Sequence, residues 1–416
     1  MSRPHPVILG TAALLASILL LPGTAFAQLT VKASATGQYQ YNTNVFDVQE
    51  GFPIAGTNDR HYADSYYAYG AALGLNEQVS LQNLYLNAAG TRFTYDHFTQ
   101  LTHDEYHFDG GWKWKLGRDL DGTFDVLRTR TMVAFTEVTQ LDLAIDTEQR
   151  ENANIGFQFL PRWRIEANGY TRKLLEPLPG EPDLQLTESD GGAALKYLGT
   201  AGLTSGLSAD YTHGNYTGTN GLVNPAYDQR TVALVATYQP SAPSGPPAPG
   251  SGLGTGPGGR STFDGAVGYS ERTSPTGINS VSGLIGHLDY TNQLTGKTSA
   301  TINLDRAINS YLTNAGSEID TSAGVKALWQ ATYKIGVSAG YTWTFRDLLG
   351  QGHISGTNRG DHLQYATLTI DYEALPWLAI NPYANIQTRT SNYYGENFNA
   401  TVYGVSFTVQ WQNRQS

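Results

Sequence analysis

Three short stretches carry residue types that could do chemistry. His103-Asp104-Glu105-Tyr106-His107 brings two imidazoles and two carboxylates together. The zinc-binding His-Glu-x-x-His run needs a helix and a different spacing. On a strand His103, Glu105 and His107 share one face, with the imidazoles roughly 13 Å apart, too far for one ion. They are expected to be ordinary polar wall. Asp119-Leu120-Asp121-Gly122 resembles part of a calcium loop, but the other ligands are missing and a tight turn accounts for it. Gly254 to Ser261 has the spacing of a phosphate-binding loop, with Arg260 where lysine belongs. That motif requires a strand before it and a helix after it, whereas here it lies in a Pro/Gly run. No serine–histidine–acid set can be placed. With no cysteine, thiolate metal sites and cysteine nucleophiles are excluded. The expectation is a protein that is not an enzyme and has no metal or cofactor.

The remaining chemistry is in rows of charge. Arg128 and Arg130 alternate along one segment. Asp146, Glu148, Arg150, Asn152 and Asn154 alternate along the next, and Arg162, Arg164 and Glu166 along the one after. Lys326 and Gln330 hold similar places later in the chain. If these segments are strands, each row occupies one face. Two roles are open. The rows can pair and fill the inside of a barrel, or they can form a charged, hydrogen-bonding wall that a polar solute slides past.

The elements that must position these rows read as long strands almost from end to end. In Ile335 to Phe345 one face carries Ile335, Val337, Ala339, Tyr341, Trp343 and Phe345, and the other carries Gly336, Ser338, Gly340, Thr342 and Thr344. Tyr106 to Leu116 opposes Trp112 and Trp114 to Lys113 and Lys115. The segment around Val325 opposes Trp329 to Lys326 and Gln330, and the final strand carries Phe407 and Trp411 on its greasy face. Charged residues in mid-strand on the other face suit a wet lumen, and aromatic residues near strand ends suit interfacial girdles. Trp112, Trp114, Trp163, Trp329, Tyr341, Trp343, Phe407 and Trp411 are therefore expected to meet lipid. The predicted fold is all-β, a transmembrane antiparallel β-barrel of about 18 strands, with 16 as the alternative count.

Other features fix the compartment. Val7 to Leu21 is apolar, Pro22-Gly23 breaks the run, and Ala25-Phe26-Ala27 has the small-x-small cleavage pattern. Residues 1–27 are expected to be a signal peptide cut after Ala27; a membrane-anchoring helix would need a longer run. Residues 28–416 are then one barrel. Long connections follow odd strands and tight ones follow even strands, as for outside loops and periplasmic turns. The exception is a Pro/Gly/Ser-rich segment at 240–260, expected to be a flexible periplasmic loop and a possible contact for an export partner. The net charge of −10 gives no nucleic-acid footprint.

The opening segment Gln38-Tyr-Gln-Tyr-Asn-Thr-Asn-Val-Phe46 resembles the start of a family of β-barrel porins encoded in exopolysaccharide gene clusters, as do Arg128/Arg130 and the Leu160-Pro-Arg-Trp163 turn. The resemblance implies an outer-membrane conduit for exported polysaccharide without catalytic residues. A general or sugar-uptake porin is the alternative. An outer-membrane enzyme or a closed structural or adhesive barrel is the rival from another class.

Overall fold

A computed structural model describes residues 29–51, 62–136, 143–177, 183–218, 226–240, 261–275, 280–311, 316–349 and 359–413. The proposed signal peptide with Ala25 and Ala27, the 240–260 segment from residue 241 onward and the Gly254–Arg260 motif lie outside the described residues. The first six strands are β1 (Thr30–Asn42), β2 (Asp64–Val79), β3 (Gln82–Tyr95), β4 (His103–Leu116), β5 (Leu120–Met132) and β6 (Ile145–Leu160). They are followed by β7 (Trp163–Glu176), β8 (Leu184–Leu198), β9 (Leu203–Thr217), β10 (Ala226–Tyr238), β11 (Ser261–Thr273) and β12 (Val281–Gln293). The last six are β13 (Thr298–Tyr311), β14 (Gly316–Gln330), β15 (Ile335–Leu349), β16 (Arg359–Leu375), β17 (Leu378–Ser391) and β18 (Phe398–Gln412).

Each strand pairs antiparallel with its sequence neighbours, and β1 closes on β18 from Lys32↔Gln412 to Asn42↔Val402. Closure leaves no sheet edge at mid-height, so the ladder satisfies the backbone inside a solvent that offers no hydrogen bonds. No helix among the described residues is long and apolar enough to cross a membrane; the strands do the crossing.

Contacts between strands that are not neighbours fix which face is inside. Arg389 on β17 donates to the Thr136 carbonyl beyond β5, at 2.9 Å. Tyr383 on β17 donates to Gln40 on β1 at 2.6 Å, passing over Gly404 of β18, where a Cβ would lie 2.6 Å from the tyrosine hydroxyl. Register then carries the inward face from strand to strand. The opposite face bears the exposed apolar side chains: Tyr39 beside Tyr67, Phe108, Trp112 beside Phe124, Val325 beside Tyr341, and Tyr403, Phe407 and Trp411 on β18. Trp112 and Trp114, Trp163 against Tyr197, Trp329 and Trp411 ring the end with short turns, while Tyr341 and Trp343 flank the middle of β15. The protein is an outer-membrane-type β-barrel.

Ala339 lies between Ala327 and Leu368 on the outer face, and Ser338 lies one residue away on the inner face. An arginine facing lipid near mid-membrane costs roughly 2–4 kcal/mol and much less in a wet lumen. Ala339→Arg is expected to lower the yield of heat-modifiable folded barrel on gels well below that of Ser338→Arg. Equal yields would contradict the facing of β15, and a lower yield for Ser338→Arg would reverse it.

Candidate functional site

The lumen wall is assembled from the inward rows. On β6 the register turns Asp146, Glu148, Arg150, Asn152 and Asn154 inward, and β7 adds Arg164 and Glu166. Lys326 and Gln330 face inward from β14. Near the short-turn end Arg164 donates to Asp121 at 2.8 and 2.5 Å and to Glu166 at 2.7 Å, and Lys196 meets Glu166 at 2.6 Å. The aspartate of the calcium-like turn is thus an internal partner for arginine. Higher up, Asn152 donates to Asp125 at 2.6 Å, and Arg150 lies 4.2 Å over the Tyr170 ring.

Three arginines from the sequence reading are placed differently. Arg128 pairs with Phe108 and Arg130 with Tyr106, so both share the outward face of β5 with Phe124. Arg162 sits in the turn before β7 and donates to Tyr197, a neighbour of Trp163 on the outer face, at 3.0 Å. Alternation alone assigned polar residues to the lumen. At the rims an outward side chain reaches past the hydrocarbon, and polarity no longer reports which face it is on.

The long-loop mouth is narrowed by elements that leave the wall. β12 and β13 pair only from Gly286↔Arg306 to Gln293↔Ser299. Beyond Arg306, β13 stays paired with β14 to Tyr311↔Gly316, so the tip of this hairpin parts from β12. The tip leans inward onto Arg272 of β11, which is only 5% exposed. Arg272 donates to the Asn309 carbonyl at 2.9 Å and to Ser310 at 3.2 Å, with its guanidinium 4.0 Å from the Tyr227 ring centroid. Ser310 donates to Tyr227 at 3.0 Å and lies 3.4 Å from Glu188. Glu188 on β8 and Ser310 on β13 are five strands apart, or roughly 24 Å along a wall of ~4.8 Å spacings, so only inward displacement of the tip can bring them together. Arg172 joins the group by ion pairs to Glu148 at 3.0 Å and Glu188 at 3.1 Å. A polar cavity of about 440 Å³ lies among these groups. Beneath the tip is a dry patch of Leu174, Leu184, Leu186, Tyr216 and Tyr227 on the inner face.

A second cluster caps the neighbouring sector. Val45 and Phe46 after β1, Phe98 and Leu101 after β3, and Val133 and Phe135 after β5 form one buried core, with the Phe46 ring 4.7 Å from Phe98 and 5.0 Å from Phe135. Burying a side chain the size of Phe46 contributes about 1.5–3 kcal/mol. Asp64 anchors the cap by accepting from the amides of His97 and Phe98 at 3.0 and 2.8 Å. His103 hydrogen-bonds Leu101 and Glu105, and Glu105 accepts from the Met132 amide, so the histidine–glutamate pair is a loop clamp. Arg389 ties the cap to β17 through Thr136 and pairs with Glu396 at 2.5 Å; Arg359 pairs with Asp361 at 2.7 Å and with Glu396 at 3.0 Å. Burial pushes the Asp47 carboxyl in the same cap up to about 7, against a smaller lowering by Arg389. Among the described residues no group of three histidines or carboxylates is placed to hold a metal.

Sequence reasoning did not single out Glu188, Tyr227, Arg272, Arg359, Arg389 or Glu396. The available signal was local: buried-type residues such as Leu184 and Leu186 at inward positions of a strand that is otherwise wet inside.

No family model matches the chain, and no curated protein matches it. Solved structures with a similar architecture include the outer membrane protein opdK from Pseudomonas aeruginosa, 10% identical, with 92% of this chain and 99% of that chain covered at a TM-score of 0.45. OccK9 (OpdG) of the same organism is 11% identical over 93% of this chain and 100% of that one, at 0.48. The siderophore receptor PirA, also from Pseudomonas aeruginosa, is 11% identical over 92% and 80%, at 0.43. Likeness this distant says nothing about a solute. The exopolysaccharide-cluster resemblance keeps only its short motifs, of which Asn42 to Phe46 builds the cap and Arg128/Arg130 faces outward.

Arg272→Gln is expected to free the hairpin tip. Amide exchange at 307–311 and 316–318 should speed up, while the β6–β7 ladder stays protected. Unchanged exchange at the tip would show that Arg272 does not hold it.

Proposed function

We propose that this barrel is a passive channel for small polar solutes, preferring cations, rather than a conduit for an exported polymer. The observation that carries the reading is the wall from β8 to β13. Its inward rows hold Asp190, Asp210, Asp264, Asp289 and Asp305, and the only inward lysine or arginine among the described residues between Lys196 and Lys326 is Arg272 at the mouth. The partners of these aspartates are neutral groups or histidine: Thr212 for Asp190, Asn168 for Asp210, His287 for Asp264, and Asn303 for Asp289. A one-sided row of carboxylates in a water-filled lumen raises the local concentration of cations and hydrogen-bonds polar solutes as they pass. Barrels of 16–18 strands leave an aqueous channel, so the wall is reachable from both ends.

The narrowed mouth supports small solutes over a polymer. The hairpin tip on Arg272 and the aromatic cap each take lumen cross-section on the long-loop side, and both are held by several hydrogen bonds. Enzymatic activity finds no support in the site, whose buried charges are engaged in holding structure.

Purified barrel in a planar bilayer under a KCl gradient is expected to show a reversal potential on the cation-selective side. The triple variant Asp264→Asn, Asp289→Asn, Asp305→Asn should move it toward zero. Anion selectivity of the unaltered barrel would overturn the reading. So would loss of surface polymer with normal polymer synthesis in a deletion strain, which would restore export.

A further inference from the structure

The outer face of β5 to β8 carries a polar patch above its apolar band. On β9 to β11 the outward rows stay apolar or aromatic up to Tyr211, Val232 and Tyr269. On β5 to β8 they turn polar above Val126, Ala153, Gly169 and Gly191, as β10 does above Val232 at Arg230. Above Phe124 and Val126 come Arg128 and Arg130, and above Ala153 come Glu151 and Gln149. β7 adds Thr171 and Lys173 to the same face. Arg128, Gln149 and Lys173 form one cross-strand row, Arg128↔Gln149 and Gln149↔Lys173. The two cations thus stand two strand spacings apart, roughly 10 Å, within reach of one another's heads over a shared ligand. All three side chains are exposed, and neither Arg128 nor Lys173 has a hydrogen-bond or ion-pair partner among the described residues.

Height identifies the partner. Arg128 is eight residues above Leu120, the short-turn end of β5. At ~3.4 Å per residue and a tilt of about 40° that is roughly 20 Å up the barrel, close to the upper limit of an apolar band about 25 Å tall. These cations therefore lie at the headgroup level of the outer leaflet and outside the lumen, where no transported solute reaches them. Arg130 lies one turn of the pleat higher, tethered to the Asp104 carbonyl at 2.7 Å, and Arg92 is already paired with Asp104 at 3.1 Å. Glu151 is the opposing charge in the patch. It sits one row lower, accepting from Gln149 at 3.0 Å.

We propose that Arg128 and Lys173, with Gln149 between them and Arg130 above, form a docking site on the outer wall for the phosphate of an outer-leaflet glycolipid. Arginine can grip a phosphate through two donors and lysine through its compact charge. An unpaired cation pair at this depth gains from an anionic headgroup what it lacks from the protein. The charge is local, because the chain as a whole has a formal net charge of −10.

The test uses the purified full-length barrel in detergent, with the bisphosphorylated lipid A moiety and its dephosphorylated form as probes, read by native mass spectrometry. The unaltered barrel should retain the phosphorylated lipid and release the dephosphorylated one. Arg128→Gln with Lys173→Gln should weaken retention at least roughly tenfold, the loss expected when two charge-assisted contacts disappear. Arg128→Lys should restore part of the affinity and Glu151→Gln should raise it, while the lumen variant Lys326→Gln leaves it unchanged. Heat-modifiability on gels checks that each variant is folded. Equal retention of both lipids, equal retention by the folded double variant, or full displacement by millimolar inorganic phosphate would each overturn the proposal.

Discussion

Closure of the backbone ladder is the constraint on which everything else depends. In hydrocarbon every unmade backbone hydrogen bond costs several kcal/mol, so the first and last strands must find each other across the whole chain. The 11 residue pairs from Lys32↔Gln412 to Asn42↔Val402 do this. Once the ring is shut, side-chain direction is no longer free. Each register fixes which alternate residues meet lipid and which meet water, and the charged rows on β6 and β7 become a wall because the ladder turns them inward together.

The same constraint explains where the structure can afford irregularity. Pairing between β12 and β13 stops at Arg306, near the rim, where water can satisfy the released backbone groups. That local release lets the β13–β14 tip move inward and meet Glu188, Tyr227 and Arg272. Bridges between distant strands at the mouth are therefore a product of incomplete pairing at one end and complete pairing below it. The dry patch of Leu184 and Leu186 lies beside the displaced tip, and Ile308, nominally outward, is buried and lines the mouth cavity with Leu174 and Arg272. Below the tip the inward wall from β8 to β13 carries Asp190, Asp210, Asp264, Asp289 and Asp305.

Much of this was legible in the sequence because a strand broadcasts its facing with period two. The alternation in Ile335 to Phe345 and in Tyr403 to Trp411 matches the observed register, as does the count of 18 strands. The facing of Arg128 and Arg130 was not legible by polarity, since both faces are polar near the rim; Phe108 and Phe124 in the same rows decide it. Arg162 was carried into a strand that begins one residue later, at Trp163. The mouth was beyond reach for a different reason. Glu188 and Ser310 are separated by 122 residues, and their meeting depends on where one pairing ends, which no local pattern encodes.

The proposal of a channel for small solutes requires that the docked hairpin tip and the cap set the size of what passes. Proteoliposome swelling with a series of sugars of increasing length measures this directly. The unaltered barrel should admit monosaccharides and exclude long oligosaccharides, and Arg272→Gln should move the limit upward without loss of the folded barrel. Free passage of long oligosaccharides through the unaltered barrel, or an identical limit in the folded Arg272→Gln variant, would contradict the account.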